Sequence, residues 1–273
     1  MIDNPRRRLL RLVIVLAICG HGRFAYAADT GDGVDQPAAK AALLKAYPGL
    51  FTISGNTLTW TDGTTMVWDD GKTRDADALL DAPDIEDMFH YAYPPASAGA
   101  LIPADDFDPG RIRNQAFFEK LYGGSAAAVG KHIADVKWLP KLGKKVVQVS
   151  SLFGIDDRLG KASDALEAMP AELSRYGLMP GGGFVWRPIA GTNRLSVHSF
   201  GAAFDINVGF SDYWYSNRNR KDPKAHIPFK NRIPLPVVEL FEKQGFIWGG
   251  RWYHYDTMHF EYRPELLLYK KSA

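Results

Sequence analysis

The stretch that decides the fold is residues 196–208, which read SVHSFGAAFDINV. In its second half the residues alternate as in a strand: Phe204 and Ile206 fall on one face and Asp205 on the other. A carboxylate among apolar residues costs several kcal/mol, on the order of the burial penalty for an ion, unless something positive meets it. The pattern therefore predicts a strand whose polar face needs a cation.

A second stretch, residues 258–262 (MHFEY), has the same alternation and places His259 and Glu261 on one face. With His198 on the segment that enters the first strand, the two stretches offer two imidazoles and one carboxylate. By itself each spacing is weak evidence, because a lone histidine is more often a surface or hydrogen-bonded core residue. The combination of His198, Asp205 and His259 suits one Zn²⁺ ion and leaves a fourth position open.

The rest of the chain mixes strands and helices. Residues 114–122 and 236–244 have helical patterns that end at glycine, residues 159–176 are helix-like with a break at Pro170, and residues 145–150 (KVVQVS) predict a strand. Since these elements do not alternate regularly, the predicted fold class is α+β and not a doubly wound sheet.

The segment before residue 111 has a different character. Residues 28–40 are small and polar and indicate a flexible lead-in, and residues 58–68 carry two β-prone runs around Asp62-Gly63, which predicts a β-hairpin. Residues 94–110 are rich in Pro, Ala and Gly and mark a linker. We predict a hairpin-containing region at 28–110 and one globular unit at 111–273; the hairpin region is either an accessory unit or an elaboration of that domain.

Residues 1–27 form an island with four arginines before a short apolar run and an Ala25-Tyr26-Ala27 signal. This arrangement predicts a secretory signal peptide of the Sec or twin-arginine type, hence an exported protein, periplasmic or extracellular. The alternative is a retained N-terminal anchor. Cys19, the only cysteine, falls in this segment, so the remaining chain has no disulfide and no thiolate ligand.

Charge and hydropathy exclude other classes of function. The chain of 273 residues has a net charge of +2 and a mean hydropathy of -0.22. Without residues 1–27, 28 basic and 30 acidic residues remain, so the composition gives no argument for nucleic-acid binding. No apolar run reaches the roughly 18 residues of a membrane span, and we expect none after removal of the signal.

The spaced positions Ser196, His198, Gly201, Ala203 and Asp205, followed by D-x-x-H at 256–259, resemble the VanY-type D-alanyl-D-alanine carboxypeptidases. These are grouped with L-alanyl-D-glutamate endopeptidases and share a fold with Hedgehog N-terminal domains. The resemblance covers roughly residues 180–266. It implies a central antiparallel sheet with flanking helices and makes His198, Asp205 and His259 the ligands of one zinc ion.

The resemblance also implies roles for neighbouring residues. Asp256, three residues before the last ligand, would be the general base, where many relatives have glutamate. Arg187 would polarise the scissile carbonyl. Thr257 replaces a histidine found in the wider group, which His254 could only partly replace; His254 is a candidate to contact substrate. Ser196 either binds the substrate backbone or caps the turn into His198.

The resemblance implies a zinc metallopeptidase that hydrolyses amide bonds in peptidoglycan stem peptides. The resemblance favours a D-alanyl-D-alanine carboxypeptidase. An L-Ala-D-Glu or cross-bridge endopeptidase is the alternative within enzymes, and a catalytically silent, zinc-stabilised cell-wall-binding module is the alternative from another class. An acid at Asp256 argues against the silent module, because a binding domain needs no base there.

Overall fold

The computed structural model describes residues 25–26, 33–222 and 224–271. The strands in these ranges are β1 (Ala25–Tyr26), β2 (Phe51–Ser54), β3 (Thr57–Trp60), β4 (Thr65–Val67), β5 (Ile102–Pro103), β6 (Ile133–Trp138), β7 (Lys145–Ser150), β8 (Pro180–Gly182), β9 (Ala203–Asn207), β10 (Phe246–Trp248) and β11 (His259–Tyr262). The α-helices are α1 (Gln36–Ala46), α2 (Ala76–Asp81), α3 (Gln115–Tyr122), α4 (Ala126–Gly130), α5 (Ile155–Glu167), α6 (Ala171–Ser174), α7 (Trp214–Asn217), α8 (Leu235–Glu242) and α9 (Pro264–Leu268). Short 3-10 helices occupy Glu86–Phe89, Ala96–Ala98, Leu152–Gly154, Arg175–Gly177, Val197–Phe200, Val208–Phe210 and Gly249–Arg251.

The central sheet has four strands in the order β10-β11-β9-β8, and each neighbouring pair is antiparallel. β6 and β7 form a two-stranded antiparallel sheet, β2, β3 and β4 form a three-stranded one, and β1 pairs with β5 in parallel. Helices flank these sheets, so the α+β prediction is confirmed. None of the helices in the described ranges is long and apolar enough to cross a bilayer.

The apolar face of the central sheet packs on helix α8. Phe260 of β11 stacks on Phe241 with ring centroids 4.1 Å apart, and Phe204 of β9 lies 4.5 Å from the ring of Trp138. All four side chains are buried. The strand alternation seen in the sequence therefore holds: its aromatic members face the core, which leaves the opposite face of β9 and β11 for polar side chains.

Helix boundaries follow local signals where these are strong. Helix α3 begins after Asn114, whose side chain accepts a hydrogen bond from Phe117 N, and ends at Gly123, as predicted. Helix α5 begins at Ile155, four residues before the predicted start, because Ile155 is fully buried and two aspartates in the first turn favour the helix N-terminus. It ends before Pro170, as the sequence indicated.

The region before residue 111 contains more structure than its composition indicated. Helix α1 begins at Gln36, so the second part of the predicted lead-in at 28–40 is helical rather than flexible. Asp35 caps this helix, and Leu43 is buried in a core that continues to Tyr269. Alanine-rich polar segments are ambiguous until a tertiary contact covers one face. The division of the chain at residue 110 stays a prediction.

The hairpin around Asp62-Gly63 is present, with a wider turn than predicted. β3 and β4 pair in the register Leu58↔Met66, and four residues connect them instead of two. The Asp62 side chain accepts a hydrogen bond from Thr64 N, which closes the wider turn. β2 adds a third strand to this hairpin. The predicted signal peptide and Cys19 lie outside the described residues, apart from Ala25–Tyr26.

Candidate metal and catalytic site

The register of two neighbouring strands brings the first two candidate ligands together. In the pairing of β9 with β11, Asp205 lies directly opposite His259. Paired side chains on one sheet face point to the same side. The two residues are 54 positions apart in sequence, and Nδ1 of His259 lies 3.0 Å from Oδ1 of Asp205.

A short 3-10 helix, Val197–Phe200, supplies the third ligand. Ser196 begins it, and the Ser196 hydroxyl accepts a hydrogen bond from His198 N at 3.4 Å. Gly201 ends it with a φ of +64°, the left-handed region that glycine adopts without steric cost. A Cβ at Gly201 would also lie 2.7 Å from Ser150 N. Glycine is therefore required where the chain turns from His198 into β9.

The three side chains form a compact triangle. Nε2 of His198 lies 3.2 Å from Oδ1 of Asp205 and 3.3 Å from Nδ1 of His259. Ligand atoms about 2.0–2.1 Å from a tetrahedral ion lie about 3.3 Å from one another, so the spacing fits zinc. All three residues are buried, and they form a group that could hold a metal ion.

The remaining ring nitrogens have partners that orient both imidazoles. Nδ1 of His198 donates to the carbonyl oxygen of Gly183 at 2.6 Å, and Nε2 of His259 donates to Oε2 of Glu261 at 3.1 Å. With a metal bound, each hydrogen bond would hold the ring proton away from the triangle and leave a lone pair facing the ion. Backbone carbonyls and carboxylates commonly orient metal-binding histidines in this way.

The site is electrostatically prepared for a cation. Burial by itself would lower the pKa of His259, but hydrogen bonds with Asp205 and Glu261 outweigh it and raise the pKa to about 10. Burial would raise the pKa of Asp205, yet His198 and His259 hold it well below its usual range. The carboxylates of Asp205 and Glu261 thus stabilise positive charge at the position that a divalent ion would occupy.

Glu261 belongs to a buried ion network. It is fully buried, and it pairs with Arg113 at 2.5 Å and with Arg263 at 3.1 Å. Burial would raise its pKa, but these arginines and His259 lower it, so Glu261 is ionised. Arg263 pairs in turn with Glu265, which accepts a hydrogen bond from Tyr47 of helix α1. This chain of contacts connects a candidate ligand to the region before residue 111.

Asp256 lines the same cleft as the three candidate ligands. Burial, together with the carboxylate of Asp205, raises its pKa to about 6 against the opposing effects of His259 and His198. One carboxylate oxygen, Oδ1, is buried and has no hydrogen-bond partner among the described residues. A carboxylate of this kind can exchange a proton with a water molecule near neutral pH.

Arg187, Ser196 and His254 also line the cleft, which has a volume of about 320 Å³. Arg187 is exposed, and its guanidinium group forms no ion pair with the described residues. Ser196 makes the capping contact; a contact with substrate stays a prediction. His254 is held by Asp108, with Nδ1 2.6 Å from Oδ2 and the backbone N–H 3.0 Å from Oδ1.

Thr257 does not face the cleft as a ligand would. It is fully buried, and its hydroxyl accepts a hydrogen bond from Asp212 N at 2.8 Å. The position that holds histidine in the wider group is therefore used here to fix the loop before helix α7. This loop carries Tyr213 and leads into Trp214, the first residue of α7; both line the cleft, and the Trp214 ring lies 4.6 Å from the ring of His254.

Three residues of the site have no clear signal in the sequence. Asp108 lies in the Pro-rich linker, Arg113 follows it without a motif, and Gly183 reads as part of a glycine turn. A Cβ at Gly183 would lie 2.0 Å from Gln148 O, so only glycine allows its carbonyl to reach His198. Such contacts depend on tertiary proximity, which local patterns do not contain.

Residues 190–262 match the model of a family described as D-alanyl-D-alanine carboxypeptidase. The resemblance to this family is confirmed for that segment, which includes His198, Asp205, Asp256 and His259. The segment spans about a quarter of the chain, and Arg187 lies outside it. Comparisons with curated proteins and with solved structures found no match.

Proposed function

We propose that this protein is an exported zinc metallopeptidase that hydrolyses amide bonds in peptidoglycan stem peptides. The observation that carries the proposal is the triangle of His198, Asp205 and His259 beside Asp256 in one cleft. The family match over residues 190–262 supports the same activity and favours a D-alanyl-D-alanine carboxypeptidase. A silent binding module would need neither an exposed Arg187 nor, at Asp256, a buried carboxylate oxygen that has no hydrogen-bond partner among the described residues.

The roles of the residues follow from their positions. Nε2 of His198, Nδ1 of His259 and the Asp205 carboxylate would hold the metal. When bound, zinc acts as a Lewis acid that makes water a stronger acid and polarises a carbonyl oxygen. Asp256 takes the proton of the attacking water and returns it to the departing amine. Arg187 stabilises the negative charge that develops on the carbonyl oxygen.

Digestion of purified muropeptides, followed by mass spectrometry, tests this function. Release of a single terminal D-alanine identifies the carboxypeptidase, and cleavage within the stem or cross-bridge identifies the endopeptidase. Treatment with a chelator should abolish hydrolysis, and added zinc should restore it. One bound zinc ion without turnover of any wall fragment would instead identify the binding module.

A further inference from the structure

Two arginines stand where the metal cleft meets two further cavities. Arg111 and Arg194 line the cleft of about 320 Å³ that contains the candidate ligands. The same two residues line a cavity of about 320 Å³ beside helix α2 and another of about 210 Å³ over helix α3. The three cavities therefore adjoin one another, and both arginines lie at their junction.

The walls beyond this junction combine apolar and charged side chains. The cavity beside α2 is lined by Leu80, Trp214 and three aspartates, and the one over α3 by Phe118 and Phe200, among others. Apolar walls with a few placed charges are typical of sites that bind extended ligands. Much of this surface comes from residues outside 190–262, so the segment before residue 111 extends the cleft.

Arg111 and Arg194 retain capacity for a ligand. Arg111 contacts Asp108 through Nη1 at 2.7 Å. Arg194 donates from Nη1 to Leu80 O, and its Nε lies 3.1 Å from Asp81, whose side chain is 69% exposed. The Asp81 end of the Arg194 pair is exposed, and exposed ion pairs contribute little, so another carboxylate can compete for Arg194, whereas Arg111 keeps its buried partner Asp108.

Arg113 serves as the contrast within the same cleft. Its Nε and Nη2 both bind the fully buried Glu261, at 3.2 Å and 2.5 Å. Because this ion pair is bidentate and buried, the guanidinium group of Arg113 has a structural role and is not available to a ligand. The nitrogen Nη2 of Arg194, and likewise that of Arg111, forms no hydrogen bond with the described residues, so these two groups can offer donors to a ligand.

We propose that Arg111 and Arg194 form a subsite for a free carboxylate of the substrate, away from the bond that is hydrolysed. The occupant is an acidic peptide, and the inference rests on the proposed function for the position of the scissile bond. Arginine is suited to this task because its planar group binds carboxylates through two parallel hydrogen bonds. The subsite would select stem peptides with an acidic residue over their amidated forms.

The test compares two synthetic peptides, L-Ala-γ-D-Glu-L-Lys-D-Ala-D-Ala and its analogue with D-isoglutamine, which lacks one carboxylate. The zinc-loaded wild type should have a kcat/KM about tenfold higher for the acid, as expected for one charged hydrogen-bonded contact. Arg194→Met should reduce this preference to about twofold or less, and Arg194→Lys should retain part of it. Arg220→Met, at an exposed position outside the cleft, should leave it unchanged.

Two further measurements separate the possible failures. Asp81→Asn removes the exposed partner of Arg194 without disturbing the core, and it should increase the preference for the acid. If Arg194 only ties its loop to helix α2, Arg194→Met lowers kcat/KM equally for both peptides, and this result overturns the subsite. Tryptophan fluorescence measures the binding of both peptides to the zinc-loaded Asp256→Asn variant, and this readout needs no hydrolysis.

If wild type hydrolyses neither peptide, the proposed function fails for this substrate, while tighter binding of the acid still supports the subsite. Hydrolysis or binding of both peptides to the same extent overturns the subsite and leaves the peptidase activity standing.

Discussion

At the scale of single residues, Asp256 combines features that a general base needs. It lies beside the three candidate ligands, one of its oxygens is buried without a hydrogen-bond partner in the part of the chain that the structure describes, and burial raises its pKa to about 6. A carboxylate in this environment holds its charge at neutral pH but accepts a proton readily. The shorter aspartate, where many relatives have glutamate, is thus compatible with the chemistry.

Asp256→Asn removes the proposed base and changes little else. We expect the variant to bind one zinc ion as tightly as wild type and to lose about 10²–10⁴-fold in kcat. Zinc content and steady-state hydrolysis measured on the same sample check this expectation. Full activity in the variant would remove Asp256 from the mechanism.

Glu261 would act on a bound metal through His259, the candidate ligand that it contacts. Glu261→Gln keeps the shape of the side chain but removes the charge that orients His259 and pairs with Arg113 and Arg263. We expect zinc affinity to fall about 10–100-fold, as for other partners of ligand histidines. Competition with a chromophoric chelator measures it.

The matched control for Glu261 is Glu239→Gln, since Glu239 forms an exposed ion pair on helix α8. Unchanged zinc affinity in Glu261→Gln would show that the hydrogen bond does not orient the ligand.

At the scale of secondary-structure elements, the turn between the 3-10 helix and β9 sets the geometry of the site. Gly201→Ala introduces a Cβ at a φ of +64° and 2.7 Å from Ser150 N. Gly55→Ala is the matched control, because Gly55 has a φ of +56° and no atom within 4 Å of the added Cβ.

Both glycine variants share the cost of the left-handed backbone, roughly 1 kcal/mol, and only Gly201→Ala adds a collision of about 1–3 kcal/mol. Urea unfolding of the two variants gives the difference. Equal losses in the free energy of unfolding would show that the packing around Gly201 is loose.

The 3-10 helix Glu86–Phe89 introduces a dependence of stability on pH. Burial, and then the carboxylates of Asp84 and Asp87, raise the pKa of Glu86 to about 7. The folded protein therefore holds this proton more tightly than the unfolded chain, whose glutamate pKa is about 4.3. The stabilisation is present at low pH and is lost as the pH rises through about 7.

Glu86→Gln removes this loss of stability. We expect the variant to exceed wild type by about 1 kcal/mol in free energy of unfolding at about pH 8, after allowance for solvent screening, and by much less at about pH 4.5. Urea titrations at both pH values check it, with the exposed Glu172→Gln as control. The same difference at both pH values would mean that Glu86 does not titrate between them.

At the scale of the whole molecule, one apolar core joins the region before residue 111 to the central sheet. Tyr47 packs on Phe153 with ring centroids 5.2 Å apart, and Phe89 packs on Tyr269 at 5.3 Å. Trp252, which lines the cleft, donates from its indole to Pro109 O. The described residues 33–110 thus support the site as well as extending it.

A chain that begins at Arg111 should therefore fold poorly. Its core would lose the partners of Tyr269 and Phe153, and Glu265 would lose its hydrogen bond from Tyr47. We expect no cooperative thermal transition, whereas a chain that begins at Gly33 should unfold cooperatively. A sharp transition for the shorter chain would show that residues 111–273 are an independent domain.

The sequence by itself determined the local features of this protein. Alternation identified β9 and β11, and the residues at the ends of segments identified the helix caps and turns. The spaced motif identified four candidate site residues, which are His198, Asp205, Asp256 and His259. These features are readable because strand periodicity, capping and glycine conformation depend on neighbours in the chain.

Only the tertiary structure decided which distant groups support them. The register that sets Asp205 against His259, the approach of Gly183 to His198, and the pairing of Arg113 with Glu261 all join segments far apart in sequence. The integration of helix α1 and the position of Arg194 at the junction of three cavities have the same origin. Such contacts arise from burial and packing, and residues in a linker or a plain loop carry no periodic signal that would reveal them.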